Sequence, residues 1–86
     1  MSASIDIRLA KPQQLDEQKY NRMLEIVEQN VSEAFPQAIV RVRKSPSVSD
    51  LTVFGLGKQG KEEVGDYLAN LFDDGSAFDE LQNNNY

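Results

Sequence analysis

Val31-Ser32-Glu33-Ala34-Phe35-Pro36-Gln37-Ala38-Ile39-Val40-Arg41-Val42 contains a change of hydrophobic period, and that change decides the fold. Up to Phe35 the apolar residues return every three or four positions. Tyr20, Met23, Leu24, Val27, Val31, Ala34 and Phe35 share one side of a helix running from about Asp16, while Glu25, Glu28, Gln29 and Ser32 take the other. Asp16 is the expected N-cap, and Lys19 stands where a reciprocal capping acid would, so that return bond is absent. Pro36 stops the helix, because its ring collides with the preceding turn. From Ala38 to Lys44 the period is two, with Ala38, Val40 and Val42 expected inward and Arg41 and Arg43 outward.

Upstream, Ser4-Ile5-Asp6-Ile7-Arg8-Leu9 also alternates, placing Ile5, Ile7 and Leu9 on one face and Asp6 and Arg8 on the other. Two strands joined through a helix in one sheet run parallel, by the right-handed crossover rule. Downstream, Ser45-Pro46-Ser47-Val48-Ser49-Asp50 has turn composition, and Leu51-Thr52-Val53-Phe54 reads as a third strand. A last helix is expected from about Lys58 to Asp73 or Asp74, with Val64, Tyr67, Leu68, Leu71 and Phe72 as its apolar stripe and Gly75 as its terminator. Gly65 inside it costs roughly 1 kcal/mol against alanine unless it serves close packing.

The expected class is therefore α+β: a two-layer β-α-β-β-α domain, a three-stranded sheet with two helices on one face. The chain of 86 residues is read as one domain, with an ordered core over about 4–80 and a mobile polar tail over 81–86. Phe78 is the aromatic expected to fold back onto the domain. The other sheet face, with Asp6, Arg8, Arg41, Arg43 and Phe54, is left open. Gly55-Leu56-Gly57-Lys58-Gln59-Gly60 satisfies the glycine pattern of a dinucleotide loop but has neither the surrounding unit nor a ribose-binding acid about 20 residues on. Turn geometry is the stronger reading of these glycines.

Cysteine and histidine are both absent, which removes disulfides, thiolate nucleophiles, the commonest transition-metal ligands and the usual neutral-pH proton carrier. No enzymatic activity, cofactor, metal or small-molecule substrate is expected. No segment has the length of a membrane span and the first residues lack a signal-peptide pattern, so a cytoplasmic protein is expected. The net charge of −5 is unevenly distributed: residues 1–61 carry nine bases and seven acids, whereas residues 62–86 carry seven acids and no base. Such a pole attracts cationic surfaces and repels nucleic acid.

Four strings in this order resemble the DinI family of small regulators of the bacterial DNA-damage (SOS) response. They are Ile5-Asp6-Ile7 leading to Ala10-Lys11; Ala34-Phe35-Pro36; Leu51-Thr52-Val53-Phe54-Gly55 with Lys58 and Lys61; and Leu71-Phe72-Asp73-Asp74 through Phe78. The resemblance implies binding to RecA or a related recombinase filament through the acidic second helix. It implies partner contacts at Glu62, Glu63, Asp66, Asp73, Asp74, Asp79 and Glu80, with Phe72 and Phe78 at the family's aromatic positions. The chain departs from the pattern at Gly57-Lys58-Gln59-Gly60-Lys61, where an acidic helix start is usual, and at Asn70, Ser76 and Ala77, where acids can stand. The alternative is single-stranded nucleic acid on the open sheet face through Arg8, Arg41, Arg43 and Lys44, which the overall negative charge disfavours.

Overall fold

The computed structural model describes residues 3–82. Strand β1 (Ala3–Ala10) is followed by helix α1 (Glu17–Ala34), strands β2 (Ala38–Ser45) and β3 (Asp50–Phe54), and helix α2 (Gly60–Asp74). A 3-10 turn (Ser76–Phe78) and a short helix α3 (Asp79–Gln82) close the described chain. The β-α-β-β-α topology is the one read from the sequence. The sheet order is β2-β1-β3, with β1 parallel to β2 and antiparallel to β3.

Local chemistry accounts for most boundaries. Asp16 caps α1 by accepting from the Lys19 amide at 2.8 Å, and Phe35 before Pro36 ends it. Gly55 and Gly57 hold φ of 82° and 87°, a left-handed geometry that costs glycine nothing, so the glycine-rich segment is a turn. Gly75, at φ 76°, terminates α2 with its amide on the Leu71 carbonyl.

The inward side of the sheet meets α1 and α2 in a core of Ile5, Ile7, Leu9, Tyr20, Met23, Ile26, Val27, Val31 and Val64. The α1 stripe differs from the expected one. Ile26 is buried, whereas Ala34 is exposed and Leu24 only half-buried. The buried arc is rotated toward α2, whose Tyr67 hydroxyl donates to the Asn30 carbonyl at 3.1 Å and whose ring meets Phe35 edge-on at 5.7 Å. The Tyr20 hydroxyl donates to the Leu9 carbonyl at 2.6 Å and accepts from the Ser45 amide at 3.3 Å, tying the ends of β1 and β2 together.

Phe78 and Leu81 are also core residues, 8% and 7% exposed. This moves the start of the expected tail: Leu81 packs into the domain, and residues 83–86 lie outside the described chain. Phe78 and Leu81 are three apart and so share one side of the turn that carries them.

Two helical glycines have opposite roles. A Cβ on Gly60 lies 2.6 Å from the Leu56 Cβ, an atom with no freedom to withdraw, whereas a Cβ on Gly65 meets only the Leu51 Cδ2 at 3.9 Å. Gly65 is thus not required for close packing. Gly65→Ala is expected to stabilise the domain by about 0.5–1 kcal/mol and Gly60→Ala to destabilise it by about 1–3 kcal/mol. Urea unfolding of both variants checks the opposite signs.

Candidate docking face on the second helix

At 100° per residue, Glu62, Asp66 and Asp73 fall within about 40° of one line along α2, flanked by Glu63 and Asp74 within an arc of about 120°. The row from Glu62 to Asp73 runs about 16 Å along the axis. All five are exposed, because Val64, Tyr67, Leu68 and Leu71 occupy the inward side. Glu62 and Glu63 lie in the first turn, where the helix dipole favours an anion. Asp73 and Asp74 lie in the last turn, which holds no base, and there the dipole opposes them.

Lys61 stands on α2 and Lys58 just before it, but the domain's ion pairs lie elsewhere. Among the described residues the ion pairs are Lys11 with Glu17, Lys44 with Glu17, and Arg22 with both Glu25 and Glu80. Glu62, Glu63, Asp66, Asp73 and Asp79 have no Lys or Arg nitrogen within 4.0 Å among the described residues. Asp74 accepts from the Ser76 hydroxyl and amide, which holds its carboxyl below the usual range. Of the acids expected to meet a partner, Glu80 alone is held by a base, receiving the Arg22 guanidinium at 2.7 and 3.1 Å.

The aromatic pair separates into two roles. Phe78 is buried and is not an accessible anchor, which corrects that expectation. Phe72 is 42% exposed and stacks on Phe78, ring centres 5.0 Å apart and 9° from parallel. The core thereby holds a half-exposed ring in a fixed pose.

The hydrogen bond from Arg22 draws the Glu80 carboxyl below the usual glutamate range, and that from Lys44 does the same for Glu17. A carboxyl lowered on folding stabilises fully above its unfolded value of about 4.5, and the contribution disappears as pH falls through the lower folded value. The Phe72 and Phe78 ring-proton shifts of the unaltered chain are therefore expected to move only below about pH 4.5 as α3 loosens. In Glu80→Gln they should already be displaced at neutral pH and move less through that window. An NMR pH titration of both chains checks this.

The open sheet face carries three rows fixed by the register: Ile39, Ser4 and Phe54; Arg41, Asp6 and Thr52; Arg43, Arg8 and Asp50. Asp6, Arg8, Arg41, Arg43, Asp50 and Thr52 line a cleft of about 340 Å³ there. Lys44 is not part of it. It pairs in register with the inward Leu9, binds Glu17 at 2.6 Å and lies 5.5 Å over the Tyr20 ring on the helix side. Strand parity places Asp50 outward opposite Leu51, a second acid on this face that the sequence reading did not name.

Among the described residues no group of three or more His, Cys, Asp or Glu side chains is placed to hold a metal ion. No described helix is long and apolar enough to cross a membrane. No family model, curated protein or solved structure matches the chain.

Proposed function

We propose that this chain is a non-enzymatic modulator of the bacterial SOS response that acts in the cytoplasm. It docks the outer face of α2 on a cationic surface of RecA or a related recombinase filament. The choice of partner comes from the resemblance of the four strings. The observation that carries the reading is the row of Glu62, Glu63, Asp66 and Asp73, extended by Asp79, which among the described residues meets no base, the ion pairs of Lys11, Arg22 and Lys44 being made to Glu17, Glu25 and Glu80. Fold stability does not account for Asp73, which works against the helix dipole.

Exposed ion pairs contribute about 0–1 kcal/mol each, so the row chiefly orients and accelerates the encounter. Affinity that lasts needs a desolvated anchor, and Phe72 is the exposed aromatic at the end of the row. Co-sedimentation with RecA filaments on single-stranded DNA tests the reading, using the charge-reversed chain argued in the Discussion.

A second reading rests on Arg8, Arg41 and Arg43 sharing the uncovered sheet face with Phe54, which is 70% exposed. Guanidinium groups meet phosphates and an exposed ring stacks on a base. Asp6 and Asp50 on the same face oppose it. A low-salt mobility shift of labelled single-stranded DNA that disappears in Arg41→Ala/Arg43→Ala would move the conclusion to the sheet.

A further inference from the structure

The sheet has two unpaired edges, because β2 and β3 are its outer strands. Each edge presents backbone amides and carbonyls, the template on which another strand adds. On the uncovered face β2 carries Arg43, Arg41 and Ile39, and β3 carries Asp50, Thr52 and Phe54, in both cases at alternate positions. Through β1 the two sets fall into the same three rows, Arg43 with Asp50, Arg41 with Thr52 and Ile39 with Phe54.

Within one copy these rows are unbalanced. Arg43 has Arg8, a like charge, as its in-register neighbour on β1 and the open edge on its other side. Among the described residues no carboxylate oxygen comes within 4.0 Å of Arg41 or Arg43. Asp50 stands at the far end of the row, with Oδ1 on the Leu51 amide at 2.8 Å and Oδ2 turned to no base among the described residues. Ile39 and Phe54 are 57% and 70% exposed at opposite ends of their row. Two strand spacings, about 10 Å, separate them, so neither covers the other.

We infer that these edges take a second copy of this chain, added head to tail, with β3 of one copy antiparallel to β2 of the next. Keeping both copies' helices on one side of the continued sheet fixes that direction, since β1 is parallel to β2 and antiparallel to β3. The pairing that continues the rows sets Asp50 opposite Arg43 of the next copy, Thr52 opposite Arg41 and Phe54 opposite Ile39. One register thus joins opposite charges, a hydroxyl with a guanidinium, and two exposed apolar side chains. Two-fold contacts are less complementary. The fullest overlaps of β2 with its own copy, centred on Arg41 or Val42, set Arg against Arg, and β3 with its own copy, centred on Thr52, sets Asp50 against Phe54. A head-to-tail contact leaves one edge free at each end, so association continues past the dimer. Two helices packed at about 8–10 Å are wider than three strands at about 4.8 Å, so the continued sheet curls with its helices outward. None of this rests on the reading of α2.

Sedimentation velocity of the full chain tests it, over a series reaching about 1 mM because five residue pairs make a weak contact. The weight-average sedimentation coefficient is expected to rise with concentration, and the amide shifts of residues 39–43 and 52–54 of the unaltered chain should move with it. Asp50→Arg and Arg43→Asp should each weaken association at least about tenfold by setting like charges together, with thermal melts checking that both fold. Mixed in equal amounts they should associate again, since each then offers the other an opposite charge, a recovery that misfolding cannot produce. A sedimentation coefficient that stays constant, association that survives Arg43→Asp, or no recovery on mixing the two folded variants overturns the head-to-tail contact.

Discussion

Asp66→Lys/Asp73→Lys is expected to abolish measurable co-sedimentation with RecA filaments at low salt, a loss of at least about a hundredfold, while leaving the domain folded and slightly more stable. Each reversal replaces an attraction to the cationic partner by a repulsion, and like charges brought together at an interface cost several kcal/mol. Both side chains are exposed and neither has a base to lose among the described residues, so no internal pair described there is broken. At Asp73 the change also puts a cation at the negative end of α2, where a favourable charge contributes about 0.3–1 kcal/mol. Filament co-sedimentation and thermal melts should therefore move in opposite directions. A variant that binds as well as the unaltered chain at low salt removes α2 as the docking face.

The opposition of stability and binding explains why the last turn of α2 is informative. A helix selected for stability alone would carry Lys or Arg there, and the C-cap itself is otherwise well built, with Gly75 left-handed and its amide on Leu71. The same logic separates Glu80 from its acidic neighbours. Glu80 holds α3 to α1 through Arg22, so its effect on a partner passes through the position of Phe78 and Leu81.

What could be read from the sequence was what local chemistry fixes. The strand periods, the Asp16 cap, the stop at Pro36 and the terminator Gly75 each depend on a few neighbouring residues, and each is present in the fold. The strand order was not legible, because whether β3 joins β1 or β2 depends on non-local packing and the residue 45–49 connection fits no short hairpin. The α1 arc was set too far toward Leu24 because a periodicity says which residues share a side, not where a second helix lies, whereas Ala34 is in line with Met23 and Val27 and is exposed as the last residue of the helix. Phe78 and Leu81 carried a usable three-residue spacing, obscured by the polar run that follows Leu81. The acidic row was legible from a helical wheel, whereas its lack of internal counter-charges was not, since that depends on where Arg22 and Lys44 end up.

Ile7→Ala should show the largest loss of stability, and its comparison with Ile39→Ala tests the layer arrangement that frees α2 for docking. Ile7 lies on the central strand, in register with Val42 of β2 and Leu51 of β3, and is 1% exposed beneath the helices. Truncation removes its transfer energy and leaves a cavity that two neighbouring strands cannot collapse, a cost of about 2–5 kcal/mol. Against a total stability of about 5–15 kcal/mol, that lowers the melting temperature by roughly 10–30 °C. Ile39 belongs to the same sheet but is 57% exposed on the uncovered face, so its truncation should change stability by less than about 1 kcal/mol. The folded fraction of Ile7→Ala should bind the filament as the unaltered chain does, because the substitution touches no carboxylate of the row. Similar losses in the two variants would mean that the sheet is not covered on one side only. Both faces of the molecule would then need reassignment, because the outward position of the carboxylates follows from the helices lying over Ile7.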